Sequence, residues 1–503
     1  MAYSRSLENN QYIGRRIKPE LMNIQELNEL FFGAYESVKK VKASSVTRLP
    51  LSGSNRMYFR IEGPAGKVIG TYNDDKPENY AFHYLASHLR NHGVNVPEVY
   101  FKDTEKGIYL QQDLGNMSLF EFVSNSNTNE AQLLAKYKKV VDQMPVLQYK
   151  SAANLDFSVC YPRESFGRQS MQWDLNYFKY FFLKTTYVSF HEQQLEDEFQ
   201  KLIEFLLQAP SDYFLFRDFQ SRNIMWYDDE PWFIDFQGGR RGALQYDLAS
   251  LLFESKTNLS NSFRNEILDY YLEVFGQHSF FKREEFLFYY PAFVLIRLLQ
   301  AFGAYGYRGI FEKKAFFVQS INPAIDNLQW VAAQEIIQDR FPYICSIIES
   351  IASIRDRFHH PKEVEKLTIS ITSFSYRKGI PDDWSGNGGG YVFDCRNLNN
   401  PGMHEEYKLL TGRDHEVKRF LEEERETSEF LSSVSSIIDA TIRKYQQRNF
   451  NHLAVNFGCT GGRHRSVYCA ERLFLHLKMN FDVHLRLFHR ELNIREQYDQ
   501  DHV

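Results

Sequence analysis

Two aspartates and an asparagine are spaced for a common task. Asp218 and Asn223 lie five residues apart in FLFRDFQSRNIMWYDDEPWFIDFQGG (214–239), and Asp235 follows the apolar run Trp232-Phe233-Ile234. Phosphoryl transfer to a hydroxyl needs a carboxylate to take the proton, oxygen ligands for Mg²⁺, and both aimed along one line. Mg²⁺ takes one or two protein carboxylates and leaves its other positions to phosphates and water. Asp218 suits the base, and Asn223 and Asp235 suit the metal. The competing reading makes Asp218 and Asn223 turn residues that satisfy their own backbone. The aspartate that ends an apolar strand shortly afterwards favours chemistry.

A second constellation lies in NFGCTGGRHRSVYCAERL (456–473). A Gly-rich turn between a strand and a helix presents backbone N–H groups and the positive end of the helix dipole. Gly461 and Gly462 shape the turn. Thr460 and Ser466 add hydroxyls, and Arg463, His464 and Arg465 add charge. Three readings stand. One is a phosphate-binding loop. The spacing Cys459-x5-Arg465 also fits a cysteine phosphatase, in which the dipole and the arginine lower the thiol pKa. The third is a tight turn whose basic residues face water. Between residues 443 and 495 ten basic residues stand against three acids. Such a patch suits RNA phosphates and equally a basic surface with no nucleic-acid partner. No aromatic platform for stacking bases is evident.

The elements that must position these residues follow from pattern. Residues 23–42 read as an amphipathic helix with Leu27, Leu30, Phe31 and Val38 on one face. VTRLPLSGSNRMYFRIEG and GKVIGTYNDD read as strands, PENYAFHYLASHLRNHG as a helix opened by Pro77, and VPEVYFKDTEKGIYLQQDLG as a hairpin. Helical patterns fill 118–207 and 245–350 around short β-runs at 213–237. This predicts a bilobal α+β domain with ligands in the crevice between lobes. RDRFHHPKEVEK (355–366) is charged, and its His359–His360 pair suits a solvated linker better than a metal site. Strand–turn–helix units after 367 predict a smaller, partly parallel α/β domain. The expected boundaries are a polar leader at 1–21, a first domain at 22–345, a linker at 346–366, a second domain at 367–495 and a tail at 496–503.

The 503 residues are too many for one ordinary core, and 43% apolar content is globular. A net charge of −5 gives no global pull toward nucleic acid or anionic membrane. Five cysteines without a CxxC pair argue against a disulfide scaffold or structural zinc and for a reducing cytoplasm. The N-terminus lacks a signal-peptide h-region. The most apolar stretch, 286–305, is interrupted by Pro291, Arg297 and Gln300, which predicts a buried helix.

RDFQSRN, IDFQ and YDLASLL (246–252) together resemble the aminoglycoside-phosphotransferase family, a branch of the protein-kinase-like fold. With IRLLQAFGAYG (296–306) they are most similar to the anomeric amino-sugar kinases of the AmgK type. The resemblance implies ATP and Mg²⁺ as cofactors and a sugar or amino-sugar hydroxyl as acceptor, with the C1 hydroxyl as the AmgK-type choice. Asp218 becomes the base, Asn223 and Asp235 the metal ligands, and Arg217 and Asp247 supports of the catalytic loop. LSGSNRMYFR (51–60) becomes the phosphate-covering loop, with Ser52, Gly53, Ser54 and Arg56. YLQQDLG (109–115) becomes the hinge, with Gln111, Gln112 and Asp113 at the adenine. Phe216 replaces a frequent family histidine. The strand that carries the family's ATP-pairing lysine reads VIGTYN, placing Tyr72 or Asn73 at that position, with Lys67 and Lys76 on either side. Farther on, VFDCRNLNNPG (392–402), LTGRD (410–414), GCTGGRHRSV (458–467) and FHREL (488–492) resemble the C-terminal domain of the RNase adapter RapZ. That implies a phosphorylated amino-sugar metabolite and RNA as partners, with Thr460, Gly461, His464 and Arg465 at the phosphate. RapZ's P-loop half is missing here. With no clear strand lysine, the kinase reading competes with a non-catalytic nucleotide-binding scaffold joined to an RNA or protein adapter.

Overall fold

The structure is a computed structural model that describes residues 23–50, 56–125, 127–312, 314–358, 366–381, 390–448 and 450–499. The chain divides into two compact units. The first holds residues up to Gly306 plus Pro323–Ser353, and the second holds Tyr307–Asn322 plus Ile354 onward. The helix Pro342–Ser353 thus lies wholly inside the first unit, past the boundary expected at 345. The leader, the His359–His360 pair and the final tail residues lie outside the described residues.

The first unit opens with helix α1 (Ile24–Lys39), capped by the Asn23 side chain, which accepts the Gln25 N–H at 3.2 Å. Strands β1 (Ser45–Arg48), β2 (Met57–Gly63), β3 (Gly66–Tyr72), β4 (Val99–Asp103) and β5 (Ile108–Gln112) form an antiparallel sheet ordered β1-β2-β3-β5-β4. Alternation divides its two faces. Leu27, Phe31 and Tyr35 of α1 pack on Phe59, Ile61, Val68, Tyr72 and Leu110. Gly70 makes room for this contact, because a Cβ there would stand 2.7 Å from the Phe31 ring. Helix α2 (Lys76–Asn91) covers the other face, where Phe82 stacks on Tyr109 at 4.7 Å.

The larger lobe is helical. Arg283–Ala304 runs through its centre against Arg168–Phe178. The apolar segment from Arg283 to Phe311 has the length and composition of a membrane span, and 72% of its most apolar window is buried in the fold. Four short strands carry the D-x4-N and IDF residues. β6 (Tyr213–Leu215) pairs with β9 (Arg240–Gly242), and β7 (Ile224–Tyr227) pairs with β8 (Glu230–Phe233). The β7–β8 turn places Asp228 and Asp229 at positive φ, as a two-residue hairpin requires.

In the second unit, β10 (Thr368–Ser375), β11 (Gly390–Asp394), β12 (His452–Cys459), β13 (His484–His489) and β14 (Ile494–Tyr498) form a sheet ordered β11-β12-β10-β13-β14. The first four are parallel, and β14 returns antiparallel. Ile369, Ile371, Val455 and Phe457 pack with helix residues Val434, Ile438, Leu473 and Leu477. The smaller, partly parallel α/β domain expected from sequence is present. The β13–β14 hairpin was not expected.

Candidate functional site

Asp218 follows β6 on a loop that its neighbours hold tightly. Arg217 has φ 85, a costly value for a side chain with a Cβ. Asp247, fully buried, secures it by accepting the Phe216 N–H at 2.8 Å and the Arg217 N–H at 3.0 Å. Burial pushes the Asp247 carboxyl up to about 7, although these donors and the Gln148 amide favour its ionised form. The Arg217 guanidinium is anchored on Asp174 and the Tyr246 hydroxyl, both at 2.6 Å. Asp247 thus holds the 216–217 backbone, and the Arg217 side chain ties the same turn to Asp174 and Tyr246. Asp174 and Tyr246 were missed. Asp174 lies 43 residues before the loop, where no local spacing ties it in, and Tyr246, though within YDLASLL, was given no role there.

The metal candidates connect to the same loop. The Asn223 amide donates to the Asp218 carbonyl at 2.9 Å, and the Asn223 carbonyl accepts the Ile234 N–H at 3.0 Å. Asp235, next along the chain, is left-handed at φ 69, with its side chain 39% exposed. Its Oδ1 accepts from Gln237 Nε2 at 2.7 Å. One carboxylate and one amide oxygen suit Mg²⁺ that arrives with nucleotide phosphates. Among the described residues no group of three or more His, Cys, Asp or Glu could form a self-sufficient metal cage.

Ser52, Gly53 and Ser54 lie outside the described residues. Arg56, at the head of β2, is 2% exposed. Its Nη2 stands 3.1 Å from Glu78 of α2, and its Nη1 stands 3.6 Å from Asp235. Burial raises the Glu78 pKa in spite of this partner. Sequence reasoning passed over Glu78, yet it is the only acid in α2. At the hinge, the Gln112 N–H is used by the Glu98 carbonyl, and Gln111 sits within the sheet. The Asp113 carboxylate takes a two-pronged bond from Arg60, at 2.7 and 3.0 Å, and also accepts the Gly115 N–H. Asp113 therefore pins the hinge to β2 through its side chain.

In the second unit, β12 ends at Cys459 and the helix Arg465–Asn480 begins after the turn. Gly462 has φ 68, and a Cβ there would collide with the Glu491 side chain and the Ser375 backbone. The Thr460 carbonyl accepts from the Ser375 hydroxyl at 2.7 Å, and the Arg463 carbonyl accepts the Gly412 N–H at 2.8 Å. A Cβ on Gly461 would meet open space. His464 Nε2 lies 3.0 Å from the Tyr407 carbonyl, and burial lowers its pKa, favouring the neutral ring. Arg465 is 5% exposed, and its Nη1 donates inward to the Leu398 carbonyl at 2.8 Å and the Arg396 carbonyl at 3.1 Å. Cys459 is 3% exposed, and its Sγ lies 3.2 Å from both the Gly462 N and the Ser466 Oγ. The seven loop residues are brought together, with Arg465 and Ser466 beneath the turn.

Residues 45–281 match the model of the phosphotransferase enzyme family, and residues 367–493 match that of the RapZ C-terminal domain. A curated nucleotide-binding protein of Nitrosomonas eutropha is 41% identical over 147 residues, which are 29% of this chain and 49% of that protein. One from Xylella fastidiosa is 36% identical over 128 residues, 25% of this chain and 42% of that one. The chain thus spans about half or less of the length of these relatives. Among solved structures, an ethanolamine kinase of Plasmodium vivax covers 65% of this chain and 94% of its own at 13% identity and a TM-score of 0.45. An ADP-bound aminoglycoside phosphotransferase covers 64% and 96% at 14% identity and a TM-score of 0.38.

Proposed function

We propose, for a chain that carries a phosphotransferase-enzyme-family domain ahead of a RapZ C-terminal domain, that the first domain transfers the γ-phosphoryl group of ATP to a sugar or amino-sugar hydroxyl. One observation carries this reading. A continuous series of polar contacts and one peptide link joins Asp218, Asn223, Ile234, Asp235, Arg56 and Glu78. Base, metal ligands and a buried cation are thereby fixed together, and transfer between phosphate and hydroxyl is mostly a matter of positioning and charge.

In this reading Asp218 orients the acceptor hydroxyl and takes its proton. Asn223 and Asp235 would hold Mg²⁺, which neutralises phosphate charge when bound. Arg217, Asp247 and Asp174 keep the loop in its strained form. The anomeric C1 hydroxyl is the acceptor that the AmgK-type resemblance favours. The second domain binds a phosphorylated metabolite, an amino-sugar phosphate by resemblance, at the 460–466 turn, and the excess of basic residues between 443 and 495 serves RNA. A reducing cytoplasm suits the free cysteines. The test is ATP consumption by the intact chain across sugars, amino sugars and amino alcohols. Turnover on an amino sugar that depends on Asp218 supports the reading. Nucleotide binding without turnover on any acceptor would favour the scaffold.

A further inference from the structure

We propose that Arg56 is the cation that grips the non-transferred phosphates of the nucleotide, in place of a lysine on β3. The inference rests on the phosphotransferase reading above and gives that site a residue it otherwise lacks. Kinase-type phosphoryl transfer uses a cation on the phosphates, paired with an acid on the neighbouring helix.

The obvious positions do not supply that cation. The β2–β3 register sets Met57 opposite Tyr72 and Tyr58 opposite Thr71. Tyr72 belongs to the core beneath α1, so its side chain leaves by the wrong face. Thr71 lies on the face toward α2 and carries no charge. Asn73 spends its amide on Glu78 at 2.8 Å and on Asn79 at 3.1 Å. Lys67 and Lys76 sit in exposed pairs with Glu62 at 2.7 Å and Glu105 at 2.9 Å.

Arg56 meets each requirement. It stands on the same sheet face as Thr71, one strand over. It is buried, and its two terminal nitrogens reach different carboxylates, those of Glu78 and Asp235. A guanidinium keeps its charge at any working pH and can hold two oxygens at once, as a phosphate demands. Glu78 therefore plays the part of the helix acid. Asn73, at the position where the lysine was sought, steadies Glu78 instead. Arg56 comes from a strand start rather than a strand interior, so a search along β3 cannot find it.

The test measures Mg²⁺–ATP affinity in the full chain without acceptor, alongside turnover and melting temperature. Arg56→Met is expected to weaken nucleotide binding by about tenfold or more, the scale of a lost charge-assisted bond. Arg56→Lys should fall between Met and the parent, because a point charge serves one carboxylate and not two. Arg56→Met combined with Thr71→Lys should regain part of the lost affinity by restoring the cation from β3. A folded Arg56→Met with unchanged affinity and turnover would overturn the proposal. Should Arg56→Met not fold, Arg56→Lys and Arg56→Gln decide: equal affinity in the two removes the charge from the argument. A parent chain that binds no nucleotide would sink the phosphotransferase reading itself, an outcome distinct from the failure of Arg56 alone.

Discussion

Asp218 is half-buried, and among the described residues nothing hydrogen-bonds its carboxylate, while its carbonyl accepts from Gln220 N and the Asn223 amide. The backbone is fixed and the acid is left to act. Asp218→Asn should lower turnover by roughly 10²–10⁴-fold, the range for a lost general base. Nucleotide affinity should stay close to the parent value. Turnover near the parent rate in Asp218→Asn would remove the base role. The proposed metal ligands differ in charge, so Asp235→Ala should damage Mg²⁺-dependent nucleotide binding more than Asn223→Ala. Asp235 also neutralises the buried Arg56, so Asp235→Ala should lower the melting temperature as well. Equal losses in Mg²⁺ titrations of the two variants would count against this division. The D-x4-N spacing and the IDF ending were legible because they are local. Glu78 and Arg56 were not read as a pair, since 22 residues and a strand register separate them. Tyr72 faces the core under α1 and the Asn73 amide is bonded to Glu78 and Asn79, so neither offers a cation in the place of the strand lysine.

At the scale of elements, α2 ties the sheet to the segment that carries Asp235. Phe82 stacks on Tyr109 of β5 and, at 5.1 Å and 11° between planes, on Phe236 beside Asp235. Glu78 stands one turn earlier on the same helix. The neighbouring His83 packs edge-on against Tyr109 at 5.0 Å. Burial, reinforced by Lys102 and Arg56, lowers the His83 pKa from 6.5 to about 4. The sign follows from proton counting. Between pH 6.5 and 4 the unfolded chain binds a proton that the folded state refuses, so stability falls as pH falls through that window. His83→Phe keeps a ring against Tyr109 and removes the titration. Its denaturation midpoint should therefore decline less steeply between pH 6.5 and 4, and parallel slopes would show that folding does not shift the His83 pKa. These elements were readable from alternation and from Pro77 at the helix start. The β13–β14 hairpin was overlooked although Leu485 and Leu487 alternate in β13, because the edge strand β14, IREQY, is short and mostly polar. Asn493, at φ 54, was the available turn signal.

Across the whole molecule, the two proposed phosphate sites stand on two compact units, and their chemistry should differ. The 460–466 turn has the Cys-x5-Arg spacing and even sets Cys459 Sγ 3.2 Å from Ser466 Oγ. Hydrolysis needs more than spacing. A thiolate must reach phosphorus, an arginine must hold the phosphate oxygens, and an acid must protonate the leaving group. Cys459 is buried and receives the Gly462 N–H. The Arg465 guanidinium spends Nη1 on two backbone carbonyls inside the domain. Asp394, the acid on the facing motif, is held below the usual carboxylate range by Arg396, which donates to it at 2.6 and 2.9 Å, so it has no proton to give at neutral pH. The turn still offers phosphate its backbone N–H groups and the start of a 16-residue helix. Phosphate esters should therefore bind there without being cleaved. Binding of an amino-sugar phosphate should survive Cys459→Ser within about two- to threefold, the scale of a change of less than about 1 kcal/mol. Arg465→Ala should weaken it strongly, and with a lowered melting temperature, because the guanidinium holds the 396–398 backbone beneath the turn. The decisive measurement is phosphate release from a generic aryl phosphate by the full chain and by its Asp218→Asn variant. Neither should exceed the uncatalysed rate. Steady release that persists in Asp218→Asn and vanishes in Cys459→Ser would make this domain a cysteine-dependent phosphatase.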